Sequence, residues 1–383
     1  MRLFRPLLPI ALLGLLLAVP LAAREVVPPP GGWSTVAPAR AGFDPARLAA
    51  AVDLAQRSAV VAPADLRQVI VDHYSVREPG YRVLGPTRPR AGSSGMVVRG
   101  GRVVAQWGDL ERADMAFSVT KSFIGTLAGF AVAEGRIGGA DEAVSARVQG
   151  PWFEGEPHAR ITWRHLLEQS SDWRGELFGI EDWADRPVGA NLGEWRNPPR
   201  PGPGVAHEYN DVRVNLLALA LLEVMREPLP QALRTRIMDP IGASPTWRWH
   251  GYETSWVELD GLRMQSVSGG GHFGGGMFVS TSDLARFGLL VARDGRWGER
   301  QVLPRAWVDA MRVPSAPRDD YGFLWWLNTG RRAIPAAPES AIWASGFGGN
   351  WVYVDREHDL VVVLRWVPEQ KPVVEAVLGA LRG

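Results

Sequence analysis

The stretch that decides the fold is Phe117-Ser118-Val119-Thr120-Lys121-Ser122-Phe123, in which a lysine follows a serine at a distance of three residues. It opens a helical pattern that runs from about residue 117 to 134, with Gly135 as the expected stop. An i, i+3 spacing puts both side chains on one helix face, so the amine can reach the hydroxyl. Free backbone N–H groups at a helix N-terminus favour developing negative charge. The pattern predicts a serine nucleophile, Ser118, activated by Lys121.

On its own this motif is weak, because a Ser-x-x-Lys arises by chance in roughly one such chain in ten. Its alternative interpretation is a helix cap followed by a solvated lysine. Lysine usage favours the chemical interpretation, since Lys121 and Lys371 are the only lysines among 42 basic residues. A GC-rich coding bias would explain the excess of arginine. Lysine can give up its proton where arginine cannot, so a retained lysine is a candidate for chemistry that needs a neutral amine. We expect Lys371 to be merely solvated.

Composition sets the class of protein. The chain has 383 residues, 46% hydrophobic and 22% charged, as in a soluble globular protein. The formal net charge of +1 gives no field that would attract nucleic acid, and we expect no nucleic-acid partner. Cysteine is absent, which excludes thiol catalysis, thiolate metal sites and disulfides. The seven histidines show no metal-binding spacing, so we expect no metal and no cofactor.

The N-terminal part predicts export. Residues 1–23 carry two arginines and an apolar run, typical of a signal peptide or a retained N-terminal anchor. Residues 24–41 are rich in proline and glycine and read as a tether, with a possible membrane attachment through the N-terminus. The expected location is periplasmic or secreted. The folded domain is then predicted to span 42–383.

Within that domain the pattern predicts an α+β fold. A helix is expected to begin after Asp44 as N-cap, and a hairpin over 95–107. The middle of the chain reads as mostly helical, and strands return near the end, before a closing helix at 372–381. The expected organisation is one sheet made from both termini, in a lobe of residues 42–135 plus 265–383, with a helical lobe of residues 136–264 inserted.

Further segments occur in a fixed order after the Ser-x-x-Lys motif. They are Ile161–Ser171, Tyr209-Asn210-Asp211, Gly275–Ser280 and Ala344–Gly349. With these motifs the chain from about residue 42 resembles the serine β-lactamase, DD-peptidase and esterase superfamily, in particular its 6-aminohexanoate-dimer hydrolase-like branch. The resemblance implies a β-lactamase/transpeptidase-like fold, in which helices flank an antiparallel sheet and a mainly helical lobe is inserted.

The same resemblance implies roles for individual residues. Ser118 would attack a carbonyl carbon and form an acyl-enzyme. Lys121, desolvated and so partly neutral, would accept the hydroxyl proton, and Tyr209 would shuttle it to the leaving group. The backbone N–H groups of Ser118 and Phe347 would form the oxyanion hole. Ser345 and Gly346, in the third motif, are expected to contact substrate.

Two positions depart from the superfamily pattern. Asp211 stands where an asparagine is usual, and it either caps the helix expected from Val212 or belongs to the substrate site. Ala344 stands where β-lactamases usually carry a lysine that holds the substrate carboxylate. The loss of that charge favours esters or amides over penicillins.

Aromatic and glycine-rich segments supply the remaining candidates. Most of the seventeen tryptophans are expected in the core, with Trp343 and Trp173 as candidates for an acyl-binding pocket. The glycine-rich loop at 269–276 lacks the lysine of a phosphate loop, and there is no Gly-x-Ser-x-Gly elbow, so the loop reads as a tight turn close to the site. His272 in this loop either is structural or touches substrate. His207 either tunes Tyr209 or is plainly hydrogen-bonded.

These observations predict a serine hydrolase that cleaves a small-molecule carboxylic ester or amide. The first alternative is a β-lactamase or DD-peptidase acting on cell-wall peptides. The second is a non-catalytic domain that binds penicillin or cell wall, against which the intact Ser118, Lys121 and Tyr209 argue.

Overall fold

A computed structural model describes residues 25–382. The predicted signal peptide or anchor at 1–23 lies outside the described residues. The helices are α1 Pro45–Arg57, α2 Leu66–Tyr74, α3 Val119–Ala133, α4 Trp163–Leu167, α5 Leu192–Arg196, α6 Asp211–Met225, α7 Leu229–Leu233, α8 Thr281–Ala292, α9 Arg305–Ala310 and α10 Gln370–Gly379. The strands are β1 Ser94–Arg99, β2 Arg102–Trp107, β3 Asp114–Met115, β4 Glu176–Leu177, β5 Ile180–Glu181, β6 Arg248–Leu259, β7 Leu262–Val267, β8 Gly276–Val279, β9 Arg296–Trp297, β10 Arg300–Gln301, β11 Trp326–Leu327, β12 Ile342–Gly346, β13 Asn350–Asp355 and β14 Leu360–Arg365.

The main sheet joins the two ends of the domain. Its six strands run in the order β11-β12-β13-β14-β1-β2, and every neighbouring pair is antiparallel. In the central pair, Val97 of β1 lies opposite Val362 of β14. The expected α+β class, with an antiparallel sheet built from both termini, is therefore confirmed. The strand expected from Tyr321 is shorter than predicted and begins only at Trp326.

Both faces of this sheet are buried, and alternation along each strand divides the side chains between them. In β14, Leu360, Val362 and Leu364 face a cluster that contains residues of α1 and α10. Val361 and Val363 face the larger cluster, to which α3, α6 and α8 contribute. This second face carries the segment with Ser118.

A second sheet was not expected from the sequence. Its strands run in the order β3-β8-β6-β7, and the long β6–β7 hairpin crosses the predicted end of the helical lobe at residue 264. The hairpin register shifts between Gly251 and Trp256. This irregularity interrupts the two-residue alternation that would have predicted a strand. The rest of the predicted lobe contains α4, α5, α6 and α7.

The described part of the predicted tether lies against the folded body. Arg286 donates to the carbonyl of Pro29, Arg293 donates to that of Val26, and the Trp33 indole donates to Ser282 Oγ at 3.0 Å. Residues 25–41 therefore do not form a free spacer. Their backbone is bound by Arg286, which lies in α8, and by Arg293, which follows it. Within residues 25–382 we find no helix that combines the length and hydropathy needed to cross a membrane.

Helix α3 is buried along almost its whole length, and two glycines allow its close packing. A β-carbon at Gly125 would lie 2.5 Å from the carbonyl oxygen of Phe323, and one at Gly129 would lie 2.4 Å from the indole of Trp307. Both distances are too short for a real contact. The absence of side chains at these positions therefore fixes how deeply the helix that follows Ser118 sits in the core.

Gly125→Ala should lower the free energy of unfolding by about 1–3 kcal/mol, because the new methyl group meets backbone that must move. Urea unfolding followed by circular dichroism measures this change. Gly379→Ala is the matched control, since no atom lies within 4 Å of its β-carbon position at the end of α10. An unchanged midpoint for Gly125→Ala would contradict the packing described here.

Candidate active site

Ser118 stands immediately before α3, at the N-cap position. Its hydroxyl makes no capping hydrogen bond; it accepts instead from Lys121 Nζ at 2.9 Å. The preceding residue, Phe117, adopts φ +48°, a left-handed conformation that a bulky side chain rarely takes and that costs about 1–3 kcal/mol. Ser118 is half-buried, whereas Lys121 is buried. The structure thus brings the predicted nucleophile and amine together. Lys121 is not solvated, so the alternative of a helix cap followed by a solvated lysine is wrong.

The structure decides between the two interpretations of Asp211, helix cap or site residue. The N-cap of α6 is Asn210, whose side chain accepts from the Arg213 N–H, while Asp211 is the first residue of the helix. The capping interpretation of Asp211 is therefore wrong. Its side chain turns to the nucleophile segment, where Oδ1 lies 2.8 Å from Lys121 Nζ.

The same carboxylate oxygen binds a second cation. Arg186 Nη1 lies 3.1 Å from Asp211 Oδ1 and also contacts Asp185. Asp185 in turn accepts the backbone N–H of Asp211. The carboxylates of Asp185 and Asp211 are fully buried, so they are neutralised by these cations and donors rather than by bulk water. We call Lys121, Asp185, Arg186 and Asp211 the ionic cluster.

Burial and the neighbouring charges shift the pKa values of the two carboxyl groups of the ionic cluster in opposite directions. Burial raises the pKa of Asp185 to about 6, against the opposing effect of Arg186. Burial acts in the same direction on Asp211, but Lys121 and Arg186 outweigh it and hold the pKa of this carboxyl well below its ordinary range. Arg186 is partly buried, which opposes its charge, yet Asp185 and Asp211 raise its pKa well above the usual value. Asp211 is therefore an anion and Arg186 a cation at neutral pH.

A neighbouring network fixes the loop that carries Asp185 and Arg186 to the start of α6. Arg213 Nη2 contacts Asp182 Oδ2 at 3.1 Å, and the Asn210 amide donates to the Asp182 carbonyl at 2.8 Å. Arg174 contacts the same Asp182 carboxylate at 3.2 Å. Because these groups are buried, the loop is held at several points, and the position of Arg186 follows from them.

The glycine-rich loop passes over the ionic cluster, as the sequence predicted. A β-carbon at Gly270 would lie 2.0 Å from Asp211 Oδ2 and 2.1 Å from Lys121 Nζ. Residue 270 must therefore be a glycine for the Lys121–Asp211 pair to fit. The tight turn brings His272 into the core behind the pair.

His272 is part of a buried acid–base group and faces the protein interior. Its Nε2 lies 2.6 Å from Glu78 Oε2 and 3.6 Å from Asp185 Oδ1. Burial lowers the pKa of His272 and raises that of Glu78. Glu78, Asp185 and His272 form the one group of three potential metal ligands among residues 25–382. Arg186 already contacts Asp185 there, and its positive charge opposes a metal ion.

Tyr209 lies between the two cations of the ionic cluster. Lys121 Nζ is 4.8 Å and Arg186 Cζ 5.2 Å from its ring centroid, distances typical of cation–π contacts. The ring stacks on Trp326 at 6.1 Å. Tyr209 is half-buried and thus borders both the ionic cluster and the open side of the site.

The end of β12 approaches the nucleophile segment. A β-carbon at Gly346 would lie 2.3 Å from the Ala116 carbonyl oxygen and 3.2 Å from the Ser118 nitrogen. Within the described residues, the N–H groups of Ser118 and Phe347 donate no hydrogen bond to protein. Two free donors beside Ser118 are what an oxyanion hole requires, and this role stays a prediction.

Other candidate residues lie away from Ser118. Strand alternation puts Trp343 and Ser345 on the face covered by α1 and α10, so neither lines the site; Trp343 packs on Trp351 at 5.2 Å. Trp173 is buried in the main core and donates to the Trp152 carbonyl at 2.8 Å. His207 bonds to the Glu168 carbonyl at 3.0 Å rather than to Tyr209.

Comparison with known proteins identifies the family of the chain. Residues 82–366 match the family model described as Beta-lactamase, which is well over half of the chain, and the chain belongs to this family. Its fold is accordingly that of the serine β-lactamase-like superfamily, as the order of motifs predicted.

Individual relatives are distant. An uncharacterised protein of Alkalihalophilus pseudofirmus is 24% identical over 314 residues, which cover 71% of this chain and 83% of that protein. A Bacillus anthracis structure assigned as a 6-aminohexanoate-dimer hydrolase has a TM-score of 0.53 at 18% identity, covering 75% of this chain and 77% of its own. A penicillin-binding protein homologue from Caulobacter crescentus has a TM-score of 0.58 at 15% identity, covering 89% and 99%. At these identities the likeness shows the fold alone.

Asp185→Asn tests the electrostatics of the ionic cluster. Since the pKa of Asp185 rises from the ordinary 3.8 to about 6 on folding, the native carboxyl holds its proton more tightly than the unfolded one. The stability that this gives is present at low pH and is lost as the pH rises through about 6. Between about pH 5 and about pH 7 the loss is on the order of 1 kcal/mol. Urea unfolding at both pH values should show this decline in the wild type and a smaller one in Asp185→Asn. Equal declines in the two proteins would contradict the assignment.

Proposed function

We propose that this protein is a serine hydrolase that cleaves a carboxylic ester or amide through an acyl-enzyme on Ser118. The observation that carries the proposal is the hydrogen bond from a buried lysine to an accessible serine: Lys121 Nζ to Ser118 Oγ at 2.9 Å. A serine hydroxyl is a weak nucleophile unless a neighbouring base takes its proton. Membership of the Beta-lactamase family supports hydrolase chemistry at this pair.

The proposed reaction starts from the neutral form of the Lys121 amine, which has a free lone pair, and Ser118 Oγ attacks the carbonyl carbon while its proton passes to this nitrogen. The oxygen of the tetrahedral intermediate would accept hydrogen bonds from the free N–H groups of Ser118 and Phe347. Collapse of the intermediate breaks the bond to the leaving group, which takes a proton by way of Tyr209. Water then attacks the acyl-enzyme, with the same groups moving protons in the opposite direction.

Asp211 and Arg186 give Lys121 a defined position in this scheme. Asp211 holds the amine against Ser118 through a short ion pair. Because Arg186 binds the same oxygen, the charge of the carboxylate is shared and is not committed to the lysine alone. An amine can donate a hydrogen bond to Asp211 Oδ1 in its neutral form as well as in its charged form, so the nitrogen keeps its place during proton transfer.

Esters and amides are favoured over β-lactams by the third motif. Ala344, at the position where β-lactamases carry the lysine that holds the substrate carboxylate, is buried in the core. Its methyl side chain carries no charge, so this motif supplies no cation to hold a substrate carboxylate. A β-lactamase or DD-peptidase activity is the rival within the same chemistry, and nitrocefin turnover comparable with ester turnover would favour it.

The direct test is turnover of 4-nitrophenyl esters by purified variants. Ser118→Ala and Lys121→Arg should each lower kcat by about a thousandfold or more, because the first lacks the nucleophile and guanidinium cannot act as a base. Lys371→Arg is the matched control, since it makes the same change at the other lysine of the chain, and should keep wild-type turnover. Wild-type turnover by either Ser118→Ala or Lys121→Arg would refute the proposal.

A further inference from the structure

A cavity of about 820 Å³ lies between two segments beside the candidate active site. The first segment is the end of α2 with the turn that follows it (residues 72–78), and the second is the loop that follows Asp185 (residues 186–189). A cavity of this size can hold a small organic group. The chemistry of its walls therefore bears on which substrates reach Ser118.

The cavity adjoins the groups proposed to carry out the reaction. His73 and Tyr74 line it, and their rings lie 5.0 and 5.7 Å from that of Phe347, whose N–H is a proposed oxyanion donor. Arg186 lines it as well and covers the ring of Tyr209 at 5.2 Å, but Tyr209 itself is not part of the lining. Because Tyr209 is proposed to protonate the leaving group, the acyl group is the part of the substrate that lies beside the cavity.

The buried charges on the cavity walls already have partners. Glu78 accepts the backbone N–H of Arg186 at 3.2 Å, and its other carboxylate oxygen lies 2.6 Å from His272 Nε2. The guanidinium of Arg186 contacts the buried carboxylates of Asp185 and Asp211. Among the described residues, these walls therefore offer no unpaired buried charge that would bind an ionised group.

Exposed apolar side chains stand on both segments. Val76, on the first, is 78% exposed, and Val188, on the second, is 54% exposed. The other charged residues of the lining, Asp72 and Arg77, are exposed to water and opposite in sign. An apolar group bound between the two segments would cover both valines and remove their apolar surface from water, which is favourable.

One of the two segments lies outside the part of the chain that matches the family. The match to the Beta-lactamase family covers residues 82–366, so α2 and residues 72–78 precede it, whereas residues 186–189 lie within it. Half of the cavity is therefore built by a segment that the family match does not include. Such a segment can give this protein a substrate preference of its own.

We propose that this cavity binds the acyl chain, so that the substrate class is an ester or amide of an uncharged, apolar carboxylic acid with a chain of several carbons. This inference rests on the proposed hydrolase function. Val76 and Val188 are the specificity-determining residues, because they cover the acyl chain from the two segments. The paired charges of Glu78 and Arg186 leave no partner for an ionised chain.

Three 4-nitrophenyl esters with the same leaving group test the proposal: the acetate, the hexanoate and the 3-ethoxypropanoate. The last has the chain length of the hexanoate, with an ether oxygen in place of one methylene group. Each kcat/KM is divided by the rate constant of hydroxide-catalysed hydrolysis of the same ester. The wild type should favour the hexanoate over both other esters, over the acetate by about tenfold or more, because each buried methylene contributes up to about fourfold.

Variants assign the preference to the cavity. Val188→Asn and Val76→Asn should each lower kcat/KM for the hexanoate by about threefold or more, mainly through KM, and leave the acetate nearly unchanged, because only the longer chain covers these side chains. Val313→Asn is the matched control, since Val313 is also 54% exposed and does not line the cavity. It should keep the preference for the hexanoate.

The outcomes separate this inference from the proposed function. Turnover that depends on Ser118 but shows no preference for the hexanoate would overturn the inference and leave the proposed function intact. An equal loss on acetate and hexanoate in Val188→Asn and Val76→Asn would also overturn it, and so would an undiminished preference in both variants. Turnover of all three esters that persists in Ser118→Ala would refute the proposed function itself.

Discussion

The interaction on which the site depends is one carboxylate oxygen, Asp211 Oδ1, that binds two cations at once. Lys121 and Arg186 lie 2.8 and 3.1 Å from it. Taking such ions out of water costs several kcal/mol for each ion, and the pairing offsets this cost only if the geometry is good and the remaining donors and acceptors are satisfied. The fold must therefore deliver three separate segments to one point: the first turn of α3, the first residue of α6 and the loop that precedes α5.

Each of these segments is held by its own contacts. Gly125 and Gly129 let α3 sit deep against Phe323 and Trp307, and so set the depth of Lys121. The start of α6 is capped by Asn210 and tied to the loop by the Asp182–Arg213 pair. The open space at Gly270 leaves room for the lysine and the carboxylate to meet. These contacts hold the ionic cluster from several sides of the fold.

The parts of the site that sequence reasoning found are those set by local spacing. An i, i+3 relation on one helix is enough to bring Lys121 to Ser118. The run of glycines predicted a tight turn because glycine readily adopts positive φ, as Gly274, Gly275 and Gly276 do. The sequence could not decide whether Asn210 or Asp211 caps α6. The two residues are adjacent, and asparagine and aspartate are both good N-caps.

Asp185 and Arg186 were missed for a different reason. They belong to no motif, and they reach Asp211 only through the tertiary fold, so nothing in the sequence near them marks the contact. Trp343 and Ser345 were predicted at the site although they do not line it. They lie within or next to the third motif, but side chains alternate along β12, and these two point to the other face of the sheet. The β6–β7 hairpin was missed because its irregular register hides the alternation.

The central claim is that Ser118 is a nucleophile that Lys121 activates, and covalent labelling tests it most directly. The protein would be treated with a fluorophosphonate, and the rate and position of the adduct would be measured by mass spectrometry for the wild type and for Lys121→Arg. We predict a single adduct on Ser118 in the wild type and labelling slower by about a hundredfold or more in Lys121→Arg. An adduct on another residue, no adduct on Ser118, or equal rates in the two proteins would contradict the account.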